Sequence, residues 1–285
     1  MKTGGSRIRN IPIFSIAVAL LALAIGCSAS DAKSRHVGII PQAEVAYFKA
    51  VELAGHRDTL HAAVRPIAEA VRLEPQNATY WSEQANILHD LEEDEVAIAS
   101  IKKALAINNK APGFWRIDSL ILTALKRLPE ALAAADNSIK LGGDVDSHIQ
   151  RASVLIYLSR FSESVQELNL VLKQNPHSSV ARESRMIAAE HLGDYKSYLS
   201  DCNYFLRSPK LQAQDAKMLL RRAKAHTRLK HYDKAISDYK AALKLMPDLR
   251  QAHAGLLEVY NTINDTTNSA KETAFLKKLD KDLGF

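Results

Sequence analysis

An all-α fold of stacked helical hairpins is predicted by three features of this 285-residue chain. A pattern recurs about every 34 residues, which marks a repeat architecture. The apolar residues of each copy fall at helical rather than alternating spacing. Small side chains recur where two antiparallel helices would touch, as at Ala223, Ala235 and Ala242. A lone hairpin cannot bury its apolar face, so such units stack into an α-solenoid in which each touches its neighbours.

The clearest copy spans 216–249. Tyr232 and Tyr239 fill its wider spaces, and Pro247 stops the second helix because proline lacks the amide a helix needs. The same frame at 44–77 gives Tyr47, Val51, Ala63, Ile67, Ala70 and Pro75. At 78–111 it gives Trp81, Ala85, Ala97, Ile101 and Ala104, with Asn109 in the proline's place. At 112–144 it gives Trp115, Ser119, Ala131, Ala135 and Ser138; at 145–178, Ala152, Phe161, Ser164, Leu168, Val171 and Pro176. The copy at 179–215 departs: Met186, Tyr198 and Phe205 replace small residues, and 208–215 forms a longer connection. Wider helix separation is expected there. Pro66 is expected to kink the second helix of the first unit or shift its start. In 250–285, a helix from about Gln251 to Thr262 and a Lys-rich segment over 270–283 are expected to cap the open end.

This framework of early aromatic, small residue, alanine, aromatic, alanine and proline resembles the tetratricopeptide repeat over 44–249. The resemblance implies a right-handed α-solenoid of about six hairpins plus C-terminal capping helices. It also implies that the first helix of each hairpin lines a concave groove that holds another protein or peptide. It does not identify the partner, because the family serves as a scaffold for many.

Lys2, Arg7 and Arg9 precede an apolar run from Ile11 to Ile25, too short for a comfortable membrane span and suited to a secretory signal. The ending Leu23-Ala24-Ile25-Gly26-Cys27 resembles a bacterial lipobox, with Ala24 where the family usually has Leu. That resemblance implies lipidation of Cys27, a signal peptide over 1–26, a tether over 27–43 and anchoring in the cell envelope. Ser28 after the cysteine implies sorting to an outer membrane. Cleavage after Ala29, giving a soluble secreted protein, and an uncleaved anchor are the alternatives. Loss of the leader's three positive charges lowers the net charge from +6 to +3, so nucleic acid is not an expected partner. With Cys27 acylated, Cys202 has no intrachain partner; its place in the repeat is an inward helix position.

No catalytic constellation and no cofactor is predicted, and an enzyme is the weakest class. There is no His-Glu-x-x-His, Cys-x-x-Cys pair or Gly-rich phosphate loop. Two Ser-x-x-Lys matches, from Ser100 and from Ser237, lie mid-helix without companion motifs. The histidines are scattered, and His226 takes the place of a packing aromatic. Trp81 and Trp115 occupy framework positions, which favours hairpin packing over stacking on a sugar or base, although a secreted module binding glycan or another small ligand is the rival reading. The acidic run Glu92 to Glu95 suits a solvated turn at a helix start better than a calcium site.

One constellation stands out. Lys217, Arg221, Lys224 and Arg228 fall within roughly 60° of one helical face, a single basic stripe. In a first helix the stripe would face the groove and suit an acidic peptide or a chain-end carboxylate. Lys217 and Arg221 match half of the carboxylate clamp of chaperone-binding family members, while Ser153 and Ser184 stand at or near the places of its asparagines. Neutralisation by Glu183 and Glu190 on the neighbouring first helix is the alternative.

Overall fold

The computed structural model describes residues 41–208 and 212–282. Fourteen α-helices and no strand occur among the described residues. They fall in two compact units, one ending at Leu125 and the other beginning at Lys126. The signal segment 1–26, Cys27 and the tether up to residue 40 lie outside the described residues. No helix among the described residues is long and apolar enough to cross a membrane.

The N-terminal unit contains α1 (Gln42–Ala54), α2 (Leu60–Leu73), α3 (Ala78–Asp90), α4 (Asp94–Ile107) and α5 (Pro112–Ala124). The alanines that the repeat places between helices are sealed: Ala63, Ala70, Ala85, Ala97 and Ala104 are all fully buried, with Ile67 and Ile101 between them. Methyl-sized side chains let the backbones close up, and the isoleucines fill what remains. The Trp81 indole N–H donates to the Pro75 carbonyl at 2.8 Å, and the Trp115 indole N–H donates to the Asn109 carbonyl at 2.8 Å. Both rings thus tie a first helix to the preceding turn, and Asn109 replaces the proline because only its carbonyl is needed. α2 runs unbroken through Pro66. It starts as far ahead of Ala63 as α4 starts ahead of Ala97, so the start is not shifted.

The C-terminal unit contains α6 (Leu128–Lys140), α7 (Val145–Tyr157), α8 (Phe161–Gln174), α9 (Ser179–Leu192), α10 (Tyr195–Phe205), α11 (Ala216–Arg228), α12 (Tyr232–Leu245), α13 (Arg250–Thr262) and α14 (Thr266–Asp282). Side-chain caps start α7, α9, α10 and α14. Asp144, Ser178 and Asp194 accept from the amides of Ser147, Ala181 and Ser197, satisfying donors that a helix start leaves orphaned. The turn after a first helix repeats one geometry. Ser159, Gly193, Lys230 and Asn264 here, and Glu92 in the N-terminal unit, all take the left-handed conformation. At Lys230 the amide donates to the Thr227 carbonyl, and the His231 amide reaches back to the His226 carbonyl, both at 2.9 Å. That paired closure ends the helix.

The departing copy packs as its side chains demand. Met186, Tyr198 and Cys202 are buried in one cluster with Ala189 and Ala225. α7 packs on α9 and α11 on α13, whereas α9 and α11 make no comparable approach. The widening expected within this hairpin thus has a counterpart between hairpins, where α11 stands off from α9. At the other end, Gly255 in the middle of α13 has a packing reason. A Cβ there would lie 2.3 Å from the Tyr239 ring, so only glycine lets that ring sit against the helix. α14 begins at Thr266, earlier than the Lys-rich segment suggests, because the Asp265 carboxylate caps it by accepting the Asn268 amide at 3.0 Å. It is held to α13 by Arg250–Asp280 at 3.0 Å, by His253–Glu272 at 2.6 Å, and by Phe275 stacked on His253 at 3.9 Å.

A polar ladder, not evident from the repeat framework, links the hairpins. Arg151 bonds Glu167, Arg185 bonds Asp201 and Arg222 bonds Asp238, each pair sixteen residues apart and joining the two helices of one hairpin. Each guanidinium also reaches the second helix of the hairpin before: Asp136, Asn169 and Asn203 accept from Arg151, Arg185 and Arg222. In the N-terminal unit, Gln84 takes the first-helix place and accepts from Ser100 on the second helix. Lys102–Asp118 at 2.8 Å is the ladder's inter-hairpin rung with its signs reversed.

Candidate protein-binding groove

The four stripe residues lie on α11, and all four are exposed. Among the described residues none of them makes an ion pair or a side-chain hydrogen bond. Arg222, next in sequence to Arg221, shows the contrast. It turns inward and is spent on Asp238 at 2.7 Å and Asn203 at 2.9 Å. The rotation of about 100° per residue separates a structural guanidinium from a free one. Glu183 and Glu190 are exposed on α9 and reach no stripe residue within ion-pair distance.

Two clefts flank the stripe. One, of about 660 Å³, is lined by Lys217, Leu220, Arg221 and Lys224 and by the turn from Met246 to Arg250. The other, of about 420 Å³, opens where α9 and α11 stand apart; Arg221, Lys224 and Arg228 share it with Glu190, Tyr198 and Glu258. First helices α9, α11 and α13 contribute to it, together with Tyr195 and Tyr198 of α10 and Tyr239 of α12. Burial raises the Tyr198 hydroxyl's pKa; the Cys202 thiol and Glu190 add to the effect, and Arg221 opposes it. Burial likewise raises the pKa of Tyr239, whose hydroxyl lies 3.4 Å from that of Thr227. Both phenols therefore stay neutral in the wall of the cleft.

Other singled-out residues are structural. Cys202 is fully buried, and burial pushes its thiol up to about 12, which removes the thiolate that reactivity requires. Burial pulls the pKa of His226 down against the opposing pull of Asp238, 4.0 Å away, so a neutral ring is favoured there. No group of three or more metal-ligating side chains occurs among the described residues. The tyrosines and Glu258 of the cleft were not singled out from the sequence, because each also fits an ordinary helical packing pattern. The basic surplus sits with the stripe: residues 126–285 carry 25 basic and 19 acidic side chains, whereas 41–125 carry 8 and 12.

The comparisons with known proteins agree with this architecture. A tetratricopeptide-repeat family model matches residues 69–283. DnaJ homolog subfamily C member 3 of Gallus gallus is 25% identical over 177 residues, which cover 57% of this chain and 35% of that protein. The chain thus spans about a third of the length of that relative. Among solved structures, PilW, a widely conserved type IV pilus biogenesis factor, superposes with a TM-score of 0.65 at 18% identity, covering 76% of this chain and all of that one. YrrB, a tetratricopeptide-repeat protein with an unusual peptide-binding site, superposes with a TM-score of 0.55 at 18% identity, covering 65% of this chain and 95% of that one. Those likenesses concern the fold, and with a family model spanning most of its length the chain belongs to the tetratricopeptide-repeat family.

Proposed function

We propose that this protein is a non-catalytic scaffold of the bacterial cell envelope, anchored through lipid on Cys27, that holds an acidic segment of another protein against α11. The observation that carries the reading is the free stripe: four exposed cations on one helical face, with no ion-pair partner among the described residues. Like charges in one row repel one another, which an acidic ligand would relieve. YrrB offers a precedent for peptide binding in this fold. The glycan alternative has less support, since both indole N–H groups are bonded to backbone carbonyls of their own scaffold.

The deciding experiment is a pull-down from detergent-solubilised envelopes with the wild type and the double variant Lys217→Glu/Arg221→Glu, paired with thermal melts. In this reading the variant loses its partner at unchanged melting temperature, and wild-type capture falls steeply with salt. A lower melting temperature with capture intact in the folded fraction would show that the stripe is paired within the molecule. The address is tested separately: Cys27→Ala should abolish incorporation of a labelled fatty acid and release the protein to the soluble fraction.

A further inference from the structure

The stripe is half of a two-sided surface. Val180 and Ile187 on α9 are 57% and 49% exposed, although large apolar side chains of this fold are mostly buried. With Glu183 and Glu190 they occupy about 80° of one helical face, and Glu190 lines the cleft beside Arg221 and Lys224. Glu190 borders the same cleft as the basic edge of α11, and Ile187, Glu183 and Val180 continue its face along α9. Passing from α9 to α11, the surface changes from apolar with two carboxylates to purely cationic.

We infer that the segment held here has its apolar and acidic residues segregated: bulky apolar side chains seat on Val180 and Ile187, and a neighbouring acidic run seats on Lys217, Arg221 and Lys224. This rests on the groove reading above. Charge complementarity fixes the acidic half. Glu183 and Glu190 fix the order, because an acid placed over α9 would meet two unpaired carboxylates and be repelled. A ligand with alternating acidic and apolar residues would set every second acid against α9. The separation of α9 from α11, with Tyr198 lining the cleft between them, gives each half its own strip of surface.

The test uses fluorescein-labelled twelve-residue peptides of one composition, six leucines and six aspartates, titrated against the whole protein by anisotropy. Two peptides are segregated, one in each chain direction, and a third alternates. One segregated peptide should bind at least about tenfold more tightly than the alternating isomer, roughly the worth of seating one large apolar side chain. The double variant Val180→Ser/Ile187→Ser should erase that advantage. Both sites are exposed, so its melting temperature should hold, and if it does not, the isomer comparison in the unmodified protein decides alone. Equal affinity for all three peptides, lost on Arg221→Glu/Lys224→Glu, overturns the segregated ligand and leaves the groove reading standing. Binding of no peptide, or binding indifferent to that charge reversal, overturns the groove reading itself.

Discussion

Hairpins α9/α10 and α11/α12 share one polar frame and differ in their cores. In each, an arginine of the first helix clasps an aspartate of the second and an asparagine of the hairpin before. In α11/α12 the space between helices is filled by Ala223, Ala235 and Ala242, all fully buried. In α9/α10 the corresponding places hold Met186, Tyr198 and Phe205 around Cys202. Directional hydrogen bonds can hold register while the helix spacing changes, because long arginine side chains absorb the difference. Side-chain volume then decides how far the next first helix stands off, and so where the cleft beside the stripe opens.

The largest expected difference lies in the two aspartates. Asp201 is fully buried and holds both Arg182 and Arg185, at 2.7 Å each. Asp238 holds the single guanidinium of Arg222 and is slightly exposed. Asp201→Ala should cost about 3–5 kcal/mol, since it strands two sequestered cations, and Asp238→Ala clearly less. Chemical denaturation of both variants checks this, and equal losses would mean that Arg182 contributes nothing. Next comes Tyr198→Ala, which installs the small residue the repeat prefers. If α9/α10 has adapted to its tyrosine, the change leaves a cavity and costs about 2–4 kcal/mol rather than repairing the hairpin. The mirror change Ala235→Trp should cost about 1–3 kcal/mol or more through overpacking. A Tyr198→Ala protein as stable as the wild type would break the comparison.

The helices and their sealed alanines were legible in the sequence because a packing constraint repeated along the chain leaves a periodic trace. Ala97 and Ala235 play one role in different hairpins, and each supports the other's assignment. Pro66 left no trace in the helix boundaries: the helix starts in the usual register and continues through it. The ladder carried a trace too, an arginine sixteen residues before an acid. It is obscured where Asp118 and Lys102 exchange signs between hairpins. Of the groove, the stripe was legible as a charge row at helical spacing. The exposure of Val180 and Ile187 was not, since an apolar residue in a helical pattern reads as core until the neighbouring helix is seen to stand away.

The smallest expected effect separates the two hairpins at their turns. Gly193 closes α9 with φ of 69°, and Lys230 closes α11 with φ of 59°. A side chain in the left-handed region crowds its own carbonyl, at a cost of roughly 1–2 kcal/mol that glycine escapes. Glycine in turn loses more backbone freedom on folding, about 0.4–1 kcal/mol. The balance favours glycine slightly, so Lys230→Gly should raise stability by about 0.5 kcal/mol and Gly193→Lys should lower it by a similar amount. Neither changes the stripe or the ladder, so peptide affinity should hold in both. Opposite, near-equal shifts in urea midpoint would show that the two turns are interchangeable and that the hairpins differ in their cores alone. A larger loss at Gly193→Lys would place part of the difference in the turn, where the Asp194 amide already reaches back to the Ala189 carbonyl at 2.9 Å to close α9.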